Sequence, residues 1–178
     1  MNGWRPGDRR ADTSAMLRVD QAGEYGATRI YAGQMAVLRA NSHCAKLVAR
    51  MAGQEKRHLE RFDRMIAERR VRPTALQPIW NVAGFALGAA TALMSEEAAM
   101  ACTEAVETEI DRHYSEQLAE IGDDDPDLAA TIEEFRAEEL EHRDIARDAG
   151  AAQAVGYPLL TTAVRAGCRL AIGLSKRI

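Results

Sequence analysis

Aromatic residues make up only 5% of the 178-residue chain, while alanine is abundant. That balance argues against a β-sandwich, whose faces draw on aromatic and β-branched side chains, and favours packed helices. No stretch alternates apolar and polar residues with period two over a useful length, so no strand is expected. Cysteine is scarce: Cys44, Cys102 and Cys168 are odd in number and far apart. They exclude a disulfide framework and a CxxC metal knuckle, and point to a reducing compartment. Basic charge is not in excess. The formal net charge is −4, which speaks against nucleic acid as a partner, since such binding needs a basic face. Residues 1–16 lack an apolar segment and mix Arg5, Arg9 and Arg10 with Asp8 and Asp12. Neither a secretory signal nor a transit peptide is expected. The chain reads as a complete bacterial-type polypeptide whose residues 1–12 form a disordered N-terminus.

With 47% hydrophobic and 28% charged residues, the chain is long enough and apolar enough for one core, and a single domain over 1–178 is expected. Gly and Pro divide it into long helical stretches. The first is predicted from Thr13 or Ser14 to about Ala40, with Leu17, Glu24, Thr28, Tyr31, Met35 and Leu38 in rhythm. The second runs from about Ser42 to Arg69, with Leu47, Met51, Glu55, His58, Phe62 and Ile66 in phase, and Val71-Arg72-Pro73 ends it. A third starts near Pro78 and continues to about Ile121, with a kink or break at Ser95. Asp125-Pro126 opens a fourth, which carries Leu128, Ile132, Phe135, Glu139, His142 and Ile145 on one face to about Asp148. The last begins at Pro158.

Acids and imidazoles share the apolar stripes of these helices. Buried carboxylates without partners cost several kcal/mol each, on the order of the penalties for unpaired buried charge, so Glu24, Glu55, His58, Glu139 and His142 require compensation. Two segments read Glu-x-x-His: Glu55-Lys56-Arg57-His58 and Glu139-Leu140-Glu141-His142. That spacing sets both side chains on one helix face, roughly 5–6 Å apart at Cβ. Each is preceded, at nearly equal distance, by a helix with a single candidate glutamate, Glu24 or Glu107. The chain thus reads as two similar halves, each supplying Glu … Glu-x-x-His. This is the ligand arrangement of ferritin-like di-iron and di-manganese carboxylate proteins. The expected fold is an all-α, ferritin-like four-helix bundle with additional apolar or interfacial helical segments. Four carboxylates balance two divalent cations, and a glutamate and imidazole set without thiolate suits iron or manganese. Among the remaining candidates, His43 is read as solvated or capping and His113 as a satisfied polar contact. Gly23 and Gly26 serve either close helix packing or access to the metals, and Asp63 and Asp144 are candidate carboxylate partners of the ligating imidazoles.

From Pro73 to Ser95 no residue is charged, and the stretch contains Gly84-x-x-x-Gly88, a close-packing pattern. A single membrane crossing here would separate the two halves of the ligand set by roughly 30 Å of hydrocarbon. Residues 76–94 are therefore read as a helix that is buried or lies on a membrane surface. The C-terminal stretch, with Leu159, Leu160, Val164, Leu170, Ile172 and Leu174 beside Arg165, Arg169, Lys176 and Arg177, suits an interfacial or groove-lining role. Contact between copies in a homo-oligomer is the other use of such faces.

Several segments resemble the demethoxyubiquinone hydroxylase family. They are Arg18-Val19-Asp20-Gln21-Ala22-Gly23-Glu24-Tyr25-Gly26-Ala27, Gln54-Glu55-Lys56-Arg57-His58-Leu59, Pro78-Ile79-Trp80-Asn81-Val82-Ala83-Gly84-Phe85, Ala101-Cys102-Thr103 leading to Glu107, Glu138-Glu139-Leu140-Glu141-His142, and Ala166-Gly167-Cys168-Arg169. The family pattern often has His where Gln21 stands, and the loop at 123–127 is a few residues short. The resemblance implies an O₂-dependent di-iron monooxygenase of ubiquinone biosynthesis, held peripherally on the cytoplasmic face of the bacterial inner membrane. Glu24 and His58 would complete one iron and Glu107 and His142 the other, with Glu55 and Glu139 bridging. The substrate would be a polyprenyl methoxy-methyl benzoquinol that gains a ring hydroxyl. A lipid-presenting partner is implied by the family alone. No Gly-rich dinucleotide fingerprint follows a strand, so direct reduction by NADH and delivery by a separate reductase are both open. The rival readings are a rubrerythrin-like peroxidase, which usually carries a four-cysteine iron site missing here, a non-enzymatic iron-binding protein, and a metal-free helical scaffold.

Overall fold

Six α-helices carry the regular structure of residues 11–178, the part described by a computed structural model. They are α1 (Thr13–Val37), α2 (His43–Arg69), α3 (Gln77–Met94), α4 (Glu96–Ile121), α5 (Pro126–Asp148) and α6 (Tyr157–Ser175), with a 3₁₀ turn at Ala151–Gln153. No strand occurs among the described residues. The disordered segment expected at 1–12 lies, for residues 1–10, outside the described residues. Asp12 caps α1, accepting from the Ala15 backbone N–H at 3.0 Å.

Local chemistry sets most boundaries. Ser42 and Asp125 cap α2 and α5 through their side chains, and α5 and α6 carry Pro in their first turns, where the missing N–H costs nothing. Ser95 is a full break. Its backbone is extended and its hydroxyl accepts from the Ala98 N–H at 3.0 Å, while Glu96 and Glu97 stand in the first turn of α4, favoured by the helix dipole. Of the kink or break expected at Ser95, the structure has the break, and the stretch is two helices.

Two apolar clusters sandwich the bundle's centre. One gathers Tyr31, Val48, Met51, Met100 and Ala146; the other gathers Leu17, Phe62, Met65, Ile121, Leu128 and Ile132. Along α1 and α5 the chain passes from the second cluster to the first; along α2 and α4 it passes the opposite way. Helices α2 and α4 therefore run in the same sense, and α3 is the crossover that returns the chain between them. One such crossover is the connectivity of ferritin-like bundles.

The crossover packs on α1 through glycine. A Cβ on Gly88 would lie 1.9 Å from the Ile30 carbonyl oxygen, and one on Gly33 would lie 2.1 Å from that of Phe85. Gly23 and Gly26 behave differently: nothing lies within 4 Å of where their Cβ would be. The opposite side of α3 is apolar and exposed, presenting Ile79, Val82, Phe85 and Leu93. No helix among the described residues is long and apolar enough to cross a membrane.

Helix α6 is tied to α4 by charge. Buried Glu109 accepts from Arg165 Nε at 2.6 Å, Arg169 Nε at 2.9 Å and Arg112 Nε at 2.9 Å. Its carboxyl is held down to about 2, chiefly by Arg169, with Arg165 and Arg112 adding to this against the effect of burial. A folded-state value below the ordinary 4.5 means that this contribution is complete above pH 4.5 and disappears as pH falls toward 2.

Two outcomes are expected. Gly88→Ala should lower the melting temperature, because an overpacking cost of about 1–3 kcal/mol or more exceeds the roughly 1 kcal/mol gain in helix propensity. Gly23→Ala should raise it; equal shifts in the two variants would contradict the packing described. The protection of α6 backbone amides from hydrogen exchange, taken relative to the intrinsic rate at each pH, should fall between pH 4.5 and 2 in the wild type. In Glu109→Gln it should be low already at neutral pH, and unchanged protection in that variant would contradict the anchoring role.

Candidate metal centre

Between the two apolar clusters lies a polar layer. Glu24 comes from α1, Glu55 and His58 from α2, Glu107 from α4, and Glu139 and His142 from α5. All six are at most 1% exposed, so each helix directs its acid into the interior on the same stripe as its apolar neighbours. The structure brings all six predicted residues together. They form two overlapping sets, Glu24, Glu55, His58, Glu139 and Glu55, Glu107, Glu139, His142, in which the ligand-capable atoms lie within 4.8 Å of one another. Glu55 and Glu139 belong to both.

Both imidazoles turn Nδ1 inward. His58 Nδ1 lies 3.0 Å from Glu139 Oε1 and 3.5 Å from Glu24 Oε2, while His142 Nδ1 lies 3.1 Å from Glu55 Oε1 and 3.0 Å from Glu139 Oε2. Burial, then the neighbouring charges of Glu139, Glu24 and Glu107, push the Glu55 carboxyl far above the usual range. Burial and Glu139 do the same to Glu107, against a hydrogen bond from Tyr31. Glu139 is buried as well, yet His142 and His58 outweigh that and hold it at about 2. Burial pulls His58 down, but Glu139 and Glu24 raise it to about 11.

Such a cluster is poorly satisfied by the protein alone. Glu24 Oε2, both oxygens of Glu55, His58 Nδ1, Glu107 Oε2 and Glu139 Oε1 lack a well-directed hydrogen-bond partner. Native interiors rarely tolerate one such atom without a reason. Six of them converging from four helices, all hard oxygen or imidazole nitrogen donors, fit a pair of divalent cations of the iron or manganese type. Manganese or iron at these positions would neutralise four carboxylates.

Further residues brace the layer, and sequence reasoning passed over them. Tyr31 donates its hydroxyl to Glu107 Oε1 at 2.8 Å, and Tyr114 donates to Glu24 Oε1. Each tyrosine stands two helical turns after the glutamate of its own helix and bonds the glutamate of the other. Outside the imidazoles, His58 Nε2 meets Glu138 Oε2 at 3.0 Å and His142 Nε2 meets Gln54 Oε1 at 3.1 Å. Comparing the two halves would have revealed both pairs, since each half reads Glu … Tyr and Glx-Glu-x-x-His.

Asp63 and Asp144 are not the imidazoles' partners. Asp63 accepts from Gln21 Nε2 at 3.0 Å and Asp144 sits among Arg143 and Arg147 at the surface. Asp144 is two residues past His142, which turns it to another side of the helix. His113 meets buried Asp20 at 3.2 Å and His43 is exposed at the start of α2, as read from the sequence.

An apolar cleft of about 480 Å³ borders the layer. Its walls come from α1, α3, α4 and α6, including Gly23, Gly26, Gly84, Val106, Leu160 and Cys168. Its lining includes Gly23 and Val106, the chain neighbours of Glu24 and Glu107, but none of the six Glu/His residues, so the cleft runs alongside α1 and α4 while α2 and α5 stand away from it. Gly23 and Gly26 line this cleft, and the Gly26 carbonyl also takes part in close packing, lying 2.9 Å from where a Cβ on Gly84 would be.

A crossover helical bundle with two overlapping Glu/His sets at its centre is a ferritin-like carboxylate protein. Over residues 11–175 the sequence matches the family described as Ubiquinone biosynthesis protein COQ7, and the chain belongs to that family. It is 56% identical over 162 residues to the 3-demethoxyubiquinol 3-hydroxylase of Rhodospirillum rubrum, covering 91% of this chain and 76% of the relative. With the NADPH-dependent 3-demethoxyubiquinone 3-hydroxylase, mitochondrial, of Homo sapiens it shares 51% over 173 residues, 95% of this chain and 79% of the relative. The 5-demethoxyubiquinone hydroxylase, mitochondrial, of Saccharomyces cerevisiae is 42% identical over 179 residues, covering 92% and 77%.

The cluster should cost the metal-free fold stability. Glu55 has no well-directed partner for either oxygen, so Glu55→Met should raise the melting temperature of metal-free protein, by about 1–4 kcal/mol on the scale of buried ionic groups replaced by apolar ones. A lowered melting temperature would show that Glu55 supports the fold rather than a ligand.

Proposed function

We propose that this chain hydroxylates the ring of a polyprenyl methoxy-methyl benzoquinol in ubiquinone biosynthesis, using two iron ions and O₂. The observation that carries the reading is the buried Glu/His double set, in a chain that belongs to a ubiquinone-biosynthesis family and whose α1 and α4 also wall an apolar cleft. Glu24 and His58 would complete one iron, Glu107 and His142 the other, and Glu55 and Glu139 would bridge. Ferrous iron held by these six residues would supply the reduction of O₂ from which one oxygen atom enters the ring as hydroxyl and the other leaves as water. The two electrons this requires come, in this reading, from a reduced nicotinamide nucleotide, the donor type that the human relative's name states for that protein.

The chain's own groups set the conditions for that reaction. Tyr31 and Tyr114 fix the orientation of Glu107 and Glu24 by hydrogen bonds that leave one oxygen of each carboxylate directed inward. Apolar walls exclude water from the cluster's open side, which strengthens electrostatic interactions there. The cleft matches an isoprenoid chain in chemistry, and the bare backbone at Gly23 and Gly26 lets a planar ring approach Glu24 closely.

A lipid-borne substrate must be taken from a membrane. The exposed side of α3 has Ile79, Val82, Phe85 and Leu93, and Leu159 extends the apolar surface on α6. Arg29 lies over the Phe85 ring at 5.3 Å, and exposed Lys176 and Arg177 follow the end of α6. This pattern suits a helix pair resting in the headgroup region, on the cytoplasmic face in a bacterium, with the cleft mouth between them. The same face could receive a lipid-presenting partner or a second copy.

Glu55→Ala should abolish quinol hydroxylation while the chain stays helical by circular dichroism; retained turnover would sink the assignment. Leu159 is 77% exposed and Val82 69%, whereas Leu160 turns into the cleft. Val82→Asp with Leu159→Asp should therefore release the protein from liposomes in a flotation assay, and unchanged flotation would refute the membrane role.

A further inference from the structure

The two halves of the bundle repeat each other closely, so the places where they differ carry information. In both halves the residue before the bridging glutamate reaches across to the other half's imidazole. Glu138, before Glu139, meets His58 Nε2 at 3.0 Å; Gln54, before Glu55, meets His142 Nε2 at 3.1 Å. One imidazole therefore faces a carboxylate and the other a neutral amide. Gln54 Nε2 also donates to Glu138 Oε2 at 3.1 Å, which orients the amide with its oxygen toward His142 and links the two imidazoles in one hydrogen-bonded chain. Each terminal glutamate accepts one tyrosine hydroxyl, and among the described residues the His58 ring alone also stacks on a phenyl ring, that of Phe135, at 3.9 Å.

We propose that this single exchange, carboxylate against amide, makes the two metal positions chemically different, the Glu24/His58 position holding its cation more tightly than the Glu107/His142 position. The inference rests on the dinuclear reading above. An imidazole that donates its outer N–H to a carboxylate is a more basic ligand than one that donates to an amide, and partners of this kind are worth 10–100-fold in metal affinity. Arg57 opposes the effect, since its guanidinium donates to the same Glu138 oxygen at 3.0 Å. It does not cancel it: the Arg57 side chain is 55% exposed and that of Glu138 only 23%, so solvent screens the arginine, while the imidazole side of the carboxylate is closed off. Glu138 and Gln54 are thus positioning residues that act through His58 and His142. The weaker position is the one at which a cation shares its charge least with the protein. It is therefore the better electrophile toward an arriving ligand.

Titration of metal-free full-length protein with cobalt(II) under anaerobic conditions, followed by the visible absorption of the bound ion, tests this without turnover. Wild type should bind two cobalt ions in two resolved steps. Glu138→Gln should weaken the tighter step by about 10–100-fold and leave the other within about threefold, so that the steps merge. The exchanged variant, Gln54→Glu with Glu138→Gln, should separate them again, and adding His142→Ala to it should then remove the tighter step. Two indistinguishable steps in the wild type, or equal weakening of both steps in Glu138→Gln, would overturn the inference while leaving a dinuclear centre intact. A wild type that binds no cobalt would instead overturn the dinuclear reading, and this inference with it. Circular dichroism of each variant separates loss of a ligand's partner from loss of the fold.

Discussion

Four glutamates sit side by side in the dry centre of a helical bundle, and the rest of the structure follows from that constraint. Charges of one sign at such spacing repel strongly in a medium that screens them poorly, and burying them costs several kcal/mol each on the order of magnitude typical of buried ions. The apolar clusters above and below supply the compensating burial. Protons and the two imidazoles neutralise part of the charge when no metal is bound, which is why Glu55 and Glu107 are pushed up while Glu139 is held down. A pair of divalent cations does the same work with better geometry. The fold is therefore arranged to hold a site that opposes its own stability, as expected where function rather than folding selects the residues.

The crossover helix solves the remaining problem, which is to leave one side of the site open to an apolar ligand. Gly88 and Gly33 bring α3 against α1 backbone to backbone, and Gly84 continues that close approach at Gly26, where both glycines also line the cleft. Imidazoles and their outer partners occupy the closed side between α2 and α5; carboxylates, bare glycine backbone and apolar walls occupy the other. The apolar cleft and the hydrogen-bonded support of the imidazoles thus lie on different helices and do not compete for the same space.

Much of this was legible in the chain because the determinants are local. A glutamate and histidine three residues apart must share a helix face, so the two Glu-x-x-His motifs announced their own geometry, and the apolar residues in phase with them showed that the face is internal. Caps told the same kind of story: Asp125 before Pro126 opens α5 where the sequence placed it. Legibility ended where contacts run between helices. Glu138 and Gln54 looked like ordinary surface residues beside the motif, because their partners lie on the neighbouring helix. Tyr31 and Tyr114 passed for core aromatics. Asp63 and Asp144 were attractive only by proximity in sequence, which helical geometry does not respect at offsets of five and two. Glycines were legible in part: Gly88, read as close packing, has a carbonyl oxygen against it, whereas Gly23, for which packing and access were both open, has open space.

The central claim is that the buried layer is a two-metal centre. Its most direct test is iron per chain after anaerobic loading with ferrous ion and desalting, read alongside Mössbauer spectra of the same sample. The account predicts two irons per chain, in an environment of oxygen and imidazole nitrogen. Retention of no iron, or of a single iron that leaves half the carboxylates without a counter-charge, would contradict it.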